Sequence, residues 1–309
     1  MVNDVFIFIV AMLMVIKGAT MATKHAALLA ESYRLSKYIV GFIVVAIISI
    51  LPETLISLNA AYDGNPSFGL ATLFGSNIAD LTLLFAILVF VAGRGLKVES
   101  KILKNNLIFP FLLFIPLLLG FDGYFSRWDG AALIVMGIVF YFITLQGGVD
   151  TSLPFHNGIG RYKHLWKLLL SMGILLVGAH FTVTSAASIA HYLGINQILI
   201  GMLVVGLGTT MPELLFSIQC VKKKDDSLAI GDLLGTVLAD ATVVVGILAL
   251  VSPFAFPITI IHITGLFMVT ASFLLLFFMN TGRSLSKKEA LFLLLFWVLF
   301  VLVEFYANK

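Results

Sequence analysis

Gly41 to Ser57 reads GFIVVAIISILPETLIS, and Gly201 to Ser217 reads GMLVVGLGTTMPELLFS. The two stretches share one register at an offset of 160 residues: Gly41 corresponds to Gly201, Pro52 to Pro212, Glu53 to Glu213 and Ser57 to Ser217. Upstream, the offset pairs Gly18-Ala19 with Gly178-Ala179. Downstream, it pairs Gly75-Ser76 with Gly235-Thr236, and Asp80 with Asp240. Each copy sets a carboxylate in the middle of an apolar run. A charge at membrane depth is costly to bury, so such residues mark function by default. Two of them in matching copies predict one binding site built from two halves.

The rest of the composition says that the solvent is lipid. The chain has 309 residues, 60% of them hydrophobic and 11% charged, with a mean hydropathy of +1.08. A water-soluble core of this size could not hide that much apolar surface, so a polytopic protein of the bilayer is expected. The first apolar stretch, Val5 to Val15, lacks a basic leader and a small-residue cleavage site, and reads as the start of the first span. Cys220 is the single cysteine and excludes an internal disulfide. No soluble domain and no nucleotide-binding signature is seen. The expected partners are inorganic cations and the lipid bilayer, with no nucleic acid, no cofactor and no obligatory protein partner.

Apolar runs long enough to cross about 30 Å of hydrocarbon recur at 3–22, 39–62, 68–92, 104–121, 129–146, 166–190, 197–221, 228–251, 254–279 and 287–306. The expected class is an all-α membrane protein of ten transmembrane helices. Of 19 basic residues, 17 fall on one side of this layout, leaving Arg127 and Lys309 on the other. The positive-inside rule then puts both termini outside the cytoplasm of a cell-membrane protein. Residues 1–146 form a first five-helix repeat, 147–165 a cytoplasmic connection, and 166–309 a second repeat. Five is odd, so the second repeat enters the membrane inverted, as in many secondary transporters.

Glu53 and Glu213 each follow a proline, which breaks the helix and frees main-chain carbonyls. Irregular backbone at this depth is tolerated only where it is buried in protein or lines a cavity. Carbonyls beside a carboxylate make a hard-oxygen cluster that suits Ca²⁺ or Na⁺. Ser49 precedes the first glutamate, and Thr209 and Thr210 precede the second. Ser76 with Asp80 and Thr236 with Asp240 stand four residues apart, which puts hydroxyl and carboxylate on one helical face. Four acids together in a low dielectric would repel, so a divalent ion or bound protons must offset Glu53, Asp80, Glu213 and Asp240. That is the electrostatic basis for exchange. Other polar residues read more plainly. Lys17 snorkels to the interface, His180 is a packed or pore-lining histidine, Asp232 lines a vestibule, and Lys222-Lys223-Lys224 anchors topology.

The segments IGMLVVGLGTTMPELLFS (Ile200 to Ser217) and LFGSNIAD (Leu73 to Asp80) resemble the alpha repeats of the sodium/calcium exchangers in the cation/calcium antiporter superfamily. The ten-span inverted layout extends the likeness to essentially the whole chain, at a length similar to compact prokaryotic members. The resemblance implies an antiporter, not an enzyme, that exchanges Ca²⁺ for Na⁺ by alternating access. It makes Glu53 and Glu213 the central Ca²⁺ ligands, assisted by the carbonyls of Ser49 and Thr209. One flanking sodium site would use Gly206, Thr210, Glu213 and Thr236. Its mirror image would use Ala46, position 50, Glu53 and Ser76, with Asp80 and Asp240 completing the middle. Spans one and six would slide as a pair.

The first repeat departs from the family pattern. Ile48-Ser49-Ile50 stands where G-T-S is usual, so position 50 offers no side-chain oxygen, and Ile48 is bulkier than Gly208. Asp80 stands where many members carry asparagine. These changes leave proton coupling or potassium involvement open beside sodium. Two rivals come from other classes: an intramembrane aspartyl protease with Asp80 and Asp240 as its dyad, which leaves the two glutamates without a role, and a passive channel.

Overall fold

The structure is a computed structural model that describes residues 2–33, 35–62, 64, 66–98, 108–147, 161–192 and 210–307. These residues form ten helices: α1 (Val2–Tyr33), α2 (Lys37–Tyr62), α3 (Pro66–Ala92), α4 (Phe109–Leu119), α5 (Arg127–Gly147), α6 (Arg161–Tyr192), α7 (Met211–Lys222), α8 (Asp226–Val251), α9 (Ile260–Asn280) and α10 (Lys287–Ala307). Eight of them are long and apolar enough to span a bilayer. The other two, α4 and α7, coincide with the C-terminal parts of the expected fourth and seventh spans, whose earlier residues lie outside those described. Helix α6 starts at Arg161, earlier than the expected span at 166. The protein is an all-α membrane protein.

Among the described residues, four two-residue strands, which the hydropathy pattern does not signal, tie the ends of helices together. Strand β1 (Leu96–Lys97) pairs antiparallel with β4 (Ser284–Leu285), and β2 (Tyr124–Phe125) with β3 (Phe254–Ala255). Their arrangement reports the sense of the repeat. β3 and β4 flank α9 and so sit at its opposite ends, with β2 paired to the first and β1 to the second. The 160-residue offset carries β2 onto β4, and carries β1 to within two residues of β3. Yet β4 lies beside β1, at the other end of α9 from β2. Equivalent elements thus occupy opposite ends of the bundle, as an inverted repeat requires.

Small residues let equivalent helices touch. A Cβ on Gly18 of α1 would stand 2.8 Å from the Leu175 nitrogen of α6, and one on Gly178 of α6 would stand 3.0 Å from the Val15 nitrogen of α1. Gly18 and Gly178 are register mates, as are Val15 and Leu175, so this contact is reciprocal. The same device binds α2 to α8: a Cβ on Gly41 would meet the Leu228 oxygen at 2.3 Å, and a Cβ on Gly235 would meet the Phe42 oxygen at 2.2 Å. Close main-chain approach of this kind drives helix association in lipid, where the hydrophobic effect gives no help. Helices α3 and α8 are the most enclosed, with 78% of each apolar window buried against 17% for α10. Ser76 and Asp80 lie on α3 and Thr236 and Asp240 on α8, the two enclosed helices.

Candidate ion-binding site

Proline sets the geometry of both motifs. The winding of α2 is interrupted at Ile50 (φ −70°, ψ −4°), just ahead of Pro52. Its register mate Thr210 (φ −87°, ψ 3°) caps the start of α7, where Pro212 occupies the first turn. Proline is well placed there because its missing N–H would have no helical partner. Glu53 and Glu213 consequently sit in the first turns of the helical segments that follow, where the positive end of the helix dipole favours a carboxylate.

Asp80 and Asp240 arise from a second matched irregularity. Each opens a π-helical turn, Asp80–Leu84 in α3 and Asp240–Val244 in α8. Such turns widen a helix locally and are frequent at functional positions. All four acids are at most 1% exposed. Glu213 lies within Coulombic reach of Glu53, Asp80 and Asp232, and Asp240 within reach of Glu53 and Asp80. No lysine or arginine among the described residues pairs with Asp80, Glu213, Asp232 or Asp240. Among the described residues, both carboxylate oxygens of Glu213 and of Asp240, and Oδ1 of Asp80, have no hydrogen-bond partner. Buried polar atoms are seldom left so, and an uncompensated carboxylate is the most costly kind. Among the described residues no three His, Cys, Asp or Glu side chains stand close enough to hold a metal ion by themselves. A cation held here therefore needs hydroxyl and main-chain oxygens as well as carboxylates.

Several such oxygens are present. Thr236 is buried, and its hydroxyl has no hydrogen-bond partner among the described residues. Its register mate Ser76 is also buried but donates to the Leu73 oxygen at 3.0 Å. Thr210 is buried. Ala46 is buried too, and its carbonyl accepts the Ile50 N–H at 3.0 Å. Ser49 is fully buried, and its hydroxyl points to Asp232. Gly206 and Thr209 lie outside the described residues.

Asp232 is the residue that reading the repeat undervalued. It is fully buried, where a vestibule position would be wet. The Ser49 hydroxyl donates to its Oδ1 at 3.4 Å and the Ser217 hydroxyl to its Oδ2 at 3.5 Å, so the carboxylate joins the two motifs. Its register mate is Thr72, whose hydroxyl donates to the Phe68 oxygen of its own helix. Without an acid in the other copy, the repeat gives no cue. The flanking Gly231 and Gly235, four residues apart, are the local signal: they seat this part of α8 against α2.

Other polar residues lie away from the acids. His180 is exposed on α6 beside the Phe181 ring, which places it outside a packed core. Lys17 is exposed, and Lys223 donates to the Thr20 oxygen of α1 at 3.1 Å. At the start of α8, Arg94 grips Asp226 through two bonds of 2.6 and 2.8 Å, and Lys37 pairs with Asp225.

Two register-matched segments, each with a buried carboxylate next to a proline, gather hard oxygen donors of the kind that Ca²⁺ and Na⁺ take. The comparisons with known proteins agree. The family model described as sodium/calcium exchanger protein matches residues 4–146 and 163–306. The chain is 27% identical over 264 residues to inner membrane protein YrbG of Escherichia coli, covering 80% of this chain and 79% of that protein. It is 22% identical over 349 residues to sodium/calcium exchanger MaX1 of Methanosarcina acetivorans, covering 97% and 98%. Its fold is similar to that of the sodium-calcium exchanger NCX_Mj soaked with Na⁺ and no Ca²⁺, with a TM-score of 0.87, 23% identity, and coverage of 97% of this chain and 98% of that one. The family consists of transporters, not enzymes. With both halves matched by the family model, the chain belongs to the sodium/calcium exchanger family.

Proposed function

We propose that this protein exchanges Ca²⁺ for Na⁺ across a cell membrane by alternating access at the acidic site. The observation that carries the reading is the set of buried, uncompensated carboxylate oxygens on Asp80, Glu213 and Asp240. In this reading Glu53 and Glu213 hold Ca²⁺, with the carbonyls of Ser49 and Thr209 completing its shell. Thr210, Thr236 and the carbonyl of Gly206 join Glu213 in one sodium site, and Ala46, Ser76 and Glu53 contribute to the opposite one. Asp80 and Asp240 supply the remaining charge.

Exchange follows from electrostatics. Several carboxylates within Coulombic reach repel unless cations offset them, and the repulsion grows in low dielectric. The site therefore resists crossing the membrane unloaded, and one ion must replace another. Helices α1 and α6, in reciprocal contact through Gly18 and Gly178, are the pair that slides. The 1–146 and 166–309 repeats form the two halves of the carrier, and both termini lie outside the cytoplasm. The carboxylate assignment is tested by Ca²⁺ titration calorimetry on purified protein. Wild type should bind Ca²⁺ and release heat that added Na⁺ suppresses; Glu213→Gln should show no saturable heat. Wild-type Ca²⁺ binding retained in Glu213→Gln would overturn the assignment.

A further inference from the structure

We infer that Asp232, Ser49 and Ser217 form an additional site for one monovalent hard cation of the size of Na⁺, offset from the four central acids. Three observations carry it. All three side chains are fully buried inside the bundle. The Asp232 carboxylate has no Lys or Arg partner among the described residues, and serine hydroxyls orient a charge without neutralising it. A buried carboxylate answered only by neutral donors is costly in low dielectric until a proton or a cation neutralises it.

The spacing of the oxygens is the third observation. A hydroxyl donating to a carboxylate normally comes within about 2.7 Å. Here the two separations are 3.4 and 3.5 Å, one hydroxyl beside each carboxylate oxygen. Oxygens at right angles around an ion with bonds of about 2.4 Å lie about 3.4 Å apart. The two separations are of the size found between oxygens that share one ion, with one hydroxyl beside each carboxylate oxygen. One carboxylate matches one positive charge, whereas Ca²⁺ collects more anionic and carbonyl oxygens. Sodium has nearly the radius of Ca²⁺ and half its charge, and fits this donor set.

The position along α8 gives the site a role. Asp232 lies six residues, about 9 Å, inside the start of α8 and eight residues, about 12 Å, before Asp240. It stands between the Asp226 end of the helix and the central acids. Ser49 connects the two places, since its carbonyl is assigned to the central Ca²⁺ and its hydroxyl faces Asp232. Ser49, which borders this site, immediately precedes Ile50, the position that lacks a hydroxyl in the expected first-repeat sodium site. An ion at Asp232 supplies on this side the monovalent binding that Ile50 takes away. This role rests on the exchange reading above; the binding site itself does not.

The test is a thermal-shift titration of the purified full chain in detergent, with NaCl replaced by choline chloride at constant ionic strength. Wild type should gain stability with Na⁺ and, separately, with Ca²⁺. Asp232→Asn can still satisfy both hydroxyls but carries no charge. It should raise the half-saturating Na⁺ concentration by about tenfold or more while moving that for Ca²⁺ by less than about twofold. Ser217→Ala, which leaves every central residue in place, should shift Na⁺ in the same direction by a smaller factor, and it carries the test if the Asp232 variant does not fold. Na⁺ curves of Asp232→Asn and Ser217→Ala that overlay wild type would reduce the cluster to a hydrogen-bonded clasp and overturn the proposal. Equal weakening of Na⁺ and Ca²⁺ would overturn it as a general perturbation of the bundle. Failure of the exchange reading shows instead as absent Ca²⁺ flux, which leaves this titration unaffected.

Discussion

The side-chain amide of Asn77 donates to the main-chain oxygen of Val237 at 3.3 Å, and Val237 is the register mate of Asn77 at the 160-residue offset. The two copies of the repeat therefore touch at their own equivalent positions, one turn from Asp80 and Asp240. Gly18 against Leu175 and Gly178 against Val15 show the same reciprocity farther along the bundle. On the proposed exchange reading, a site on this axis receives matched parts from both copies, and Ile50 and Asp232 are its departures from symmetry.

The close approach of α2 and α8 positions Ser49 against Asp232, so a side chain at Gly235 should be costly. Its Cβ would meet the Phe42 oxygen at 2.2 Å and the Ala46 Cβ at 2.7 Å, and main-chain atoms cannot step aside cheaply. Gly235→Val should lower stability by about 3 kcal/mol, at the upper end for overpacking. Gly173→Ala meets nothing within 4 Å on α6 and should be neutral or gain up to about 1 kcal/mol from helix propensity. Thermal unfolding of both variants in detergent makes the comparison.

Ile50 occupies the position of Thr210 in the other copy. Ile50→Thr should return a hydroxyl to the first-repeat side of the site and lower the half-saturating Na⁺ for exchange by about threefold to tenfold, the effect of one hydrogen-bond-scale ligand. The check is Na⁺-dependent Ca²⁺ flux in proteoliposomes. An unchanged Na⁺ dependence would mean that position 50 does not face the ion path.

Arg94 should be a stability residue. Its guanidinium holds both oxygens of Asp226, which also accepts the Lys97 N–H at 2.9 Å, and Asp226 is buried. The Asp226 hydrogen bond raises the guanidinium pKa above its ordinary value, so the arginine stays charged throughout the working range. Arg94→Gln strands a buried carboxylate and should cost about 3 kcal/mol in thermal unfolding. Asp226→Asn in the same background should recover part of that loss, because the stranded charge is gone. Arg94→Lys should fall between, since an ammonium cannot make the two-pronged grip.

Orientation gives an independent check on topology. With 17 of 19 basic residues on one side, alkaline phosphatase fused after Lys309 should be active, and green fluorescent protein at the same place should stay dark. The opposite pattern would invert every assignment of inside and outside.

The helical class was legible in apolar runs of bilayer length, and the interior placement of the four acids in local marks: a proline before Glu53 and Glu213, and a hydroxyl one turn before Asp80 and Asp240. The π-helical form of the turns at Asp80 and Asp240 was not legible, since it depends on how α3 and α8 pack. Nor were the strands: β1 and β4 lie almost 190 residues apart in sequence, and two-residue pairings have no periodicity to detect. Asp232 was seen, but as a vestibule residue. A charge near the end of a span reads the same whether it faces water or two buried serines, and only the fold brings Ser49 and Ser217 to it.

The most direct measurement is Ca²⁺ uptake into proteoliposomes of purified protein, driven in separate experiments by an outward Na⁺ gradient and an outward proton gradient, with Glu213→Gln as the blank. Uptake on the Na⁺ gradient, absent with choline and absent in the blank, is the predicted result. Uptake on the proton gradient alone, or equal uptake in the blank, would contradict Na⁺-coupled exchange at these carboxylates.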